Sequence, residues 1–288
     1  MSGELFGPIF VPDGFREAVS GRSWLRAMLD AEAALASAEA SAGLIPQEAA
    51  RTIASCCEAT RFDVEELGRE GRAAGNPVPP LVGALTAAVS EVSEVAARYV
   101  HKGATSQDIV DSAAMLVSRR ALDLILPELE GASRACARLA EEHRETIMAG
   151  RTLLQQALPT TFGLKAAGWL VSVLEARRRI LEARERGLAV QLGGAAGTLA
   201  SLGESGLSVL GEFARELELA EPSVPWHTDR TRIAEIGGSL SLVAGVLGKL
   251  ALDVILMAQT EGGRLPSPRV REGAAPRLFP TNATPSSR

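Results

Sequence analysis

Aromatic residues are scarce: they make up 4% of the 288 residues, with a single Tyr. Strands draw on aromatic and β-branched side chains, so a β-rich architecture is excluded as the main one. Histidine and cysteine number three each. His101, His143 and His227 do not stand at metal-ligand spacing, and Cys56, Cys57 and Cys136 form no Cys-x-x-C. No metal site is therefore expected. An odd cysteine count with two adjacent argues against a disulfide framework and fits a reducing, cytoplasmic setting. The net charge is −5. With no Lys/Arg block interleaved with aromatics, a nucleic-acid partner is not expected. A Ser-His-Asp set, a glycine-rich phosphate loop and a paired-carboxylate arrangement are all lacking. The N-terminus carries no basic segment followed by an apolar run, so no signal peptide is expected.

Ala, Leu, Arg and Glu fill the chain instead, and apolar residues make up 46%. This is the vocabulary of long helices around a sizeable core. Residues 22–42 repeat apolar positions at the helical period, and Gly43 ends that helix. A second helix is predicted over 46–60, opened by Pro46, and Asp63 can cap a third. The prolines of Asn76-Pro77-Val78-Pro79-Pro80 cannot sit in a helix interior. A further helix is predicted from about Leu81 to Ala97. Then come three long periodic segments, 109–145, 161–190 and 232–260, each well above the usual helix length of about 11–12 residues. Pro127 predicts a kink or break in the first. No alternating strand period and no internal repeat is found. The stretch Ile236 to Ala258 is apolar enough to suggest a membrane span. Lys249 and Asp253 interrupt it, which favours a bundle core helix and no membrane. From Gly262 the chain turns rich in Pro and Arg, without an amphipathic period. The fold class expected is all-α: a small N-terminal helical domain over 1–104, a central long-helix bundle over 105–261, and an aberrant, disordered tail over 262–288.

Three polar junctions border the long helices. The first is His101-Lys102-Gly103-Ala104-Thr105-Ser106-Gln107-Asp108. Its hydroxyls at a helix N-terminus can hold a carboxylate; an ordinary Thr/Ser cap is the alternative. The second runs from Gly150-Arg151-Thr152 through Gln155-Gln156 to Pro159-Thr160-Thr161. Arg151 offers a guanidinium fork, with Thr152, Gln155 and Gln156 as neutral donors; a solvated loop with a capping Thr160 is the alternative. The third is Pro225-Trp226-His227-Thr228-Asp229-Arg230-Thr231-Arg232, with either a capped helix start or a cation site. Spacing alone leads to an anion-binding helical protein.

The run His-x-Gly-x-Thr-Ser-x-Asp at 101–108 resembles the first block of the fumarase/aspartase superfamily. Gly-Arg-Thr-x-x-Gln-x-Ala-x-Pro-Thr-Thr at 150–161 resembles its second. Further stretches are similar to the bacterial 3-carboxy-cis,cis-muconate cycloisomerase branch. They are Ala74-Gly75-Asn76 with Pro80-Leu81-Val82, Gln191-Leu192-Gly193-Gly194-Ala195-Ala196-Gly197, Pro225-Trp226-His227-Thr228, and Leu256-Met257-Ala258-Gln259-Thr260-Glu261. Leu5-Phe6 and the segment Met28 to Leu35 fit as well. The resemblance covers about residues 5–261.

The resemblance implies addition or elimination across a carbon–carbon double bond beside a carboxylate. For the cycloisomerase branch it implies lactonisation of 3-carboxy-cis,cis-muconate to 4-carboxymuconolactone, in protocatechuate breakdown by the β-ketoadipate route. It implies His101 and Ser106 as catalytic residues. Asn76, Thr105, Arg151, Thr152, Gln155, Gln156 and Arg230 are implied to bind substrate. Leu153 and Gln156 stand where relatives often place histidine. No cofactor is implied, and the implied partners are a small polycarboxylate and three further copies in a homotetramer with shared sites. A fumarate-releasing lyase of the adenylosuccinate or argininosuccinate type is the alternative, and an inactive helical fragment is another. Such proteins continue after Thr260-Glu261 with a mobile loop, Gly-Ser-Ser-x-Met-Pro-x-Lys-x-Asn-Pro, that this frame lacks. Back-translated residues 275–288, read two nucleotides later, permit much of that loop. A frameshift near Gly273 is the expectation, with the C-terminal part of the fold missing.

Overall fold

The computed structural model describes residues 6–259. The tail and its proposed frameshift lie outside them. Among these residues seven α-helices come first: α1 Gly7–Phe10, α2 Asp13–Ala18, α3 Gly21–Ser41, α4 Gln47–Cys56, α5 Val64–Ala74, α6 Val78–Val92 and α7 Glu94–Ala97. Then follow α8 Ser106–Glu142, strands β1 Ile147–Thr152 and β2 Gln155–Thr161, α9 Phe162–Glu182, α10 Gly206–Glu216 and α11 Thr231–Met257. Among the described residues the fold is all-α apart from this one hairpin.

Local chemistry sets the helix ends. Ser20 Oγ accepts from Ser23 N at 3.1 Å and starts α3. Asp63 Oδ1 accepts from Glu65 N and Glu66 N at 2.8 and 3.1 Å and starts α5. Gly75, at φ +65°, ends α5 in the left-handed conformation. Asn76 Oδ1 accepts from Val78 N at 2.8 Å, so α6 begins with Pro79 and Pro80 in its first turn, where a missing N–H costs nothing. The helix expected over 81–97 is interrupted at Ser93, which is extended and caps α7 through Ala96 N at 3.2 Å.

Helix α8 is 37 residues long and continuous through Pro127, where a kink or break is predicted. Proline removes one hydrogen bond, at about 3 kcal/mol. Long helical arms on both sides, with α9 packed along α8, outweigh that loss. Where the sequence shows no strand period, residues 147–161 form an antiparallel hairpin with Thr152 opposite Gln155. Its turn is Leu153-Leu154, both at positive φ (50° and 62°) and 94% and 82% exposed. The strands carry no alternation because neither face is buried, so periodicity had nothing to register.

The core joins α3, α4, α6, the first half of α8, α10 and the segment 188–202. Leu25, Leu29, Leu35, Ile53, Leu81, Leu85, Ile109, Met115 and Phe213 are its large, fully buried members. Contacts group the chain up to Ala244 as one compact unit; the second begins at Gly245, and its described helical part is the end of α11. Ile233 and Ile236 of α11 reach the core. Its most apolar stretch is only 11% buried, at a mean hydropathy of 2.0, and is long and apolar enough to cross a membrane. The expected core helix of a bundle is therefore uncovered: among the described residues nothing lies over most of that face.

Candidate active site

The first junction, the segment 191–197 and the third junction meet at the N-terminal end of α8. Asp108 organises them. It is fully buried and accepts four hydrogen bonds: from Thr105 N at 2.9 Å, Gln191 Nε2 at 2.9 Å, Gly193 N at 3.0 Å and Gly194 N at 2.9 Å. Burial pushes its carboxyl above the ordinary value, against the pull of those donors. The helix start that the sequence offers to a ligand carboxylate thus already holds a resident carboxylate one turn in.

Gln191 is the crosslink. Its backbone is locked to Ser112, whose Oγ donates to Gln191 O at 3.1 Å and accepts from Gln191 N at 2.9 Å. Its side-chain oxygen accepts from Trp226 N at 2.6 Å. The amide nitrogen must then face Asp108, and it also lies 3.3 Å from His227 Nδ1. His227 Nδ1 is the acceptor there, so the neutral ring carries its proton on Nε2. Trp226 Nε1 donates to Val190 O at 2.8 Å, closing the third junction onto the same segment.

His101 sits at φ +57°, an uncommon place for a residue with a Cβ. Its Nδ1 lies 2.7 Å from Oε1 of Glu32, which is 1% exposed on the inner face of α3. Burial lowers the basicity of the ring, but the hydrogen bond and charge of Glu32, with the charge of Asp108, outweigh it and hold the imidazole above its ordinary pKa. Glu39, two turns further along α3, is fully buried, and neither side-chain oxygen has a hydrogen-bond partner. Desolvation raises its carboxyl to about 8, with Lys102 opposing and Glu32 adding to the shift.

The remaining sequence-derived residues fall into four places. Thr105 and Ser106 open α8 beside Asp108, half-buried. Asn76 is used as the turn before α6. Arg230 gives both guanidinium nitrogens to buried Asp111, at 2.7 and 2.9 Å, and stacks 5.5 Å from the Trp226 ring. Arg151, Thr152, Gln155 and Gln156 lie on the exposed hairpin, beyond the other end of α8. At 1.5 Å per residue, 37 residues span roughly 55 Å. One chain therefore assembles the first and third junctions and holds the second apart. Sequence reasoning missed Glu32, Asp111 and Gln191 as site-building groups. A signal existed for Glu32: it falls on the apolar stripe of α3, in line with Leu25, Leu29 and Leu35. No group of three His, Cys, Asp or Glu is placed to hold a metal among the described residues.

The family model described as Lyase matches residues 11–273. The chain belongs to this lyase family, the fumarase/aspartase superfamily. The superfamily member is 49% identical over 257 residues to a 3-carboxy-cis,cis-muconate cycloisomerase of Bradyrhizobium diazoefficiens, covering 89% of this chain and 57% of that protein. It is 45% identical over 289 residues to nitrosuccinate lyase of Streptomyces davaonensis, covering 98% and 61%. The crystal structure of 3-carboxy-cis,cis-muconate lactonizing enzyme from Pseudomonas putida superposes with a TM-score of 0.88 at 44% identity, covering 91% and 59%. The chain spans less than two thirds of the length of each of these relatives.

Proposed function

We propose that the protein is a 3-carboxy-cis,cis-muconate cycloisomerase, or the larger part of one, closing 4-carboxymuconolactone within a single substrate molecule. The likeness to cycloisomerases in both sequence and fold carries this reading. One substrate carboxylate attacks the conjugated diene, and negative charge builds on the carbon beside another carboxylate. Donors and cations aimed at that charge lower the barrier. In this reading Thr105 and Ser106 hold a carboxylate at the start of α8, and His101 serves the proton transfer. Arg151, Thr152, Gln155 and Gln156 come from another copy. Arg230, tied to Asp111, fixes the third junction.

The exposed leucines of the hairpin and the uncovered face of α11 support assembly, since large apolar patches seek partners. We take the assembly to be a cytoplasmic homotetramer, with residues 1–104 as the helical domain outside a bundle built from 105–261. The likeness to nitrosuccinate lyase keeps elimination as the second reading. Incubation with 3-carboxymuconate, and separately with adenylosuccinate, followed by ultraviolet absorbance, tests the choice. Loss of the diene band with lactone as product supports cycloisomerisation. Turnover of adenylosuccinate alone overturns it.

A further inference from the structure

We propose that Glu32 is the positioning residue of the site: its buried carboxylate grips Nδ1 of His101 and leaves the opposite ring nitrogen to hand a proton to the bound polycarboxylate. The proposal rests on the function proposed above for its last step, while the grip itself stands on geometry alone.

The Nδ1–Oε1 separation is 2.7 Å, and the Glu32 side chain is 1% exposed among Leu25, Leu29 and Leu35 of the same helix. Its second oxygen, Oε2, has no hydrogen-bond partner. A carboxylate so desolvated is costly unless an opposite charge stands beside it. Among the described residues the only group bonded to it is His101, so the arrangement favours the imidazolium. His101 is also held at positive φ, and such strain persists where surrounding contacts over-determine it. No hydrogen bond engages its Nε2 among the described residues, and the side chain is 16% exposed, enough for a ligand to reach.

The charged surroundings are asymmetric. From α3 come Glu32 and, two turns along, Glu39; from α8 comes Asp108; Lys102 follows in the chain. The Cys57 thiol, near Glu32, is pushed up by burial and stays neutral. Lys102 is turned away, with Nζ donating to Leu44 O at 3.2 Å and standing 5.2 Å from the Tyr99 ring. The charges that act on His101, those of Glu32 and Asp108, are negative, and both favour a protonated ring.

The proton balance agrees. When the carboxylate oxygen bonds to the diene carbon, the displaced π pair moves to the carbon beside another carboxylate. The Nε2–H bond breaks as that carbon takes the proton. The ring is left neutral with its hydrogen on Nδ1, still held by Glu32. The substrate trianion becomes a lactone dianion, and solvent returns the proton to His101.

The test is nuclear magnetic resonance of the full chain with nitrogen-labelled histidine, the His101 signals identified by their loss in His101→Asn. In the wild type the neutral ring should carry its proton on Nδ1. In Glu32→Gln, which keeps the shape and removes the charge, His101 should titrate at lower pH; a part that merely fills space would leave the midpoint unchanged. A neutral wild-type ring protonated on Nε2, or an unmoved midpoint in a folded Glu32→Gln, overturns the proposal. If Glu32→Gln does not fold, the wild-type tautomer alone decides. With 3-carboxymuconate as substrate, Glu32→Gln should lower kcat by about 100-fold with little change in KM. Wild-type protein inactive on that substrate overturns the proposed function and leaves the resonance test of Glu32 standing.

Discussion

Asp111 and Arg230 are 119 residues apart, yet both oxygens of the buried carboxylate meet both terminal nitrogens of the guanidinium, at 2.7 and 2.9 Å. This pair closes the third junction onto α8. Arg230→Ala leaves Asp111, 1% exposed, without its counter-charge. About 2–3 kcal/mol of stability should be lost, below the range for a fully buried pair because nearly half of the Arg230 side chain meets water. Urea denaturation measures it. Asp111→Asn combined with Arg230→Met should cost less than Arg230→Ala, because no orphaned charge remains.

Asp108 ties the segment 191–194 to the start of α8 through four donors. Asp108→Ala strands Gly193 N, Gly194 N and the Gln191 amide, each at about 1–3 kcal/mol if water cannot replace the carboxylate. A loss of about 3 kcal/mol or more is expected. Hydrogen exchange should show the Gly193 and Gly194 amides unprotected while the middle of α8 keeps its protection.

Glu39 gives a signed pH dependence. Its folded-state pKa, about 8, lies above the ordinary 4.5, so the folded chain binds the extra proton between those values. Stability therefore falls as pH rises from about 4.5 to 8, by at most about 1.4 kcal/mol per unit from this group. Glu39→Gln should flatten that slope and stabilise the protein most at pH 8. Urea midpoints at pH 5, 6.5 and 8 for both proteins measure the difference. Equal slopes would exclude a protonated Glu39.

Gly103 adopts φ +73°, and a Cβ there would clash with Leu202 Cδ2. Gly103→Ala should cost about 2 kcal/mol, from the left-handed backbone and from the displaced leucine. In Gly103→Ala/Leu202→Ala the clash is gone, so the loss should fall short of the sum of the single variants. Thermal melting of the four proteins gives the coupling.

Much of the fold is legible in the sequence because helix-forming residues repeat at the helical period. The end of α3 near Gly43 and the start of α5 at Asp63 follow from residues whose effects are local. The hairpin is not legible: its strands are exposed on both faces, and its Leu153-Leu154 turn has none of the Asn or Gly that positive φ prefers. Nor is the course of α8 through Pro127, since packing against α9 decides it. For the site, the junctions at 101–108 and 225–232 are found by motif, and the structure brings them together. What joins them is not legible in spacing. Gln191, Asp111 and Glu32 lie 83, 119 and 69 residues from Asp108, Arg230 and His101 respectively. Glu32 and Glu39 on the apolar stripe of α3 were the available clue, because acidic residues are buried only for a reason.

In the assembly proposed above, one copy supplies the start of α8 while another supplies the hairpin. Mixing purified His101→Ala with Arg151→Ala, after mild dissociation and reassembly, tests it directly with 3-carboxymuconate as substrate. Each variant alone should be inactive. Random assortment should restore about a quarter of the sites, and activity with them. A mixture as inactive as its two components, although the copies exchange, would contradict the account.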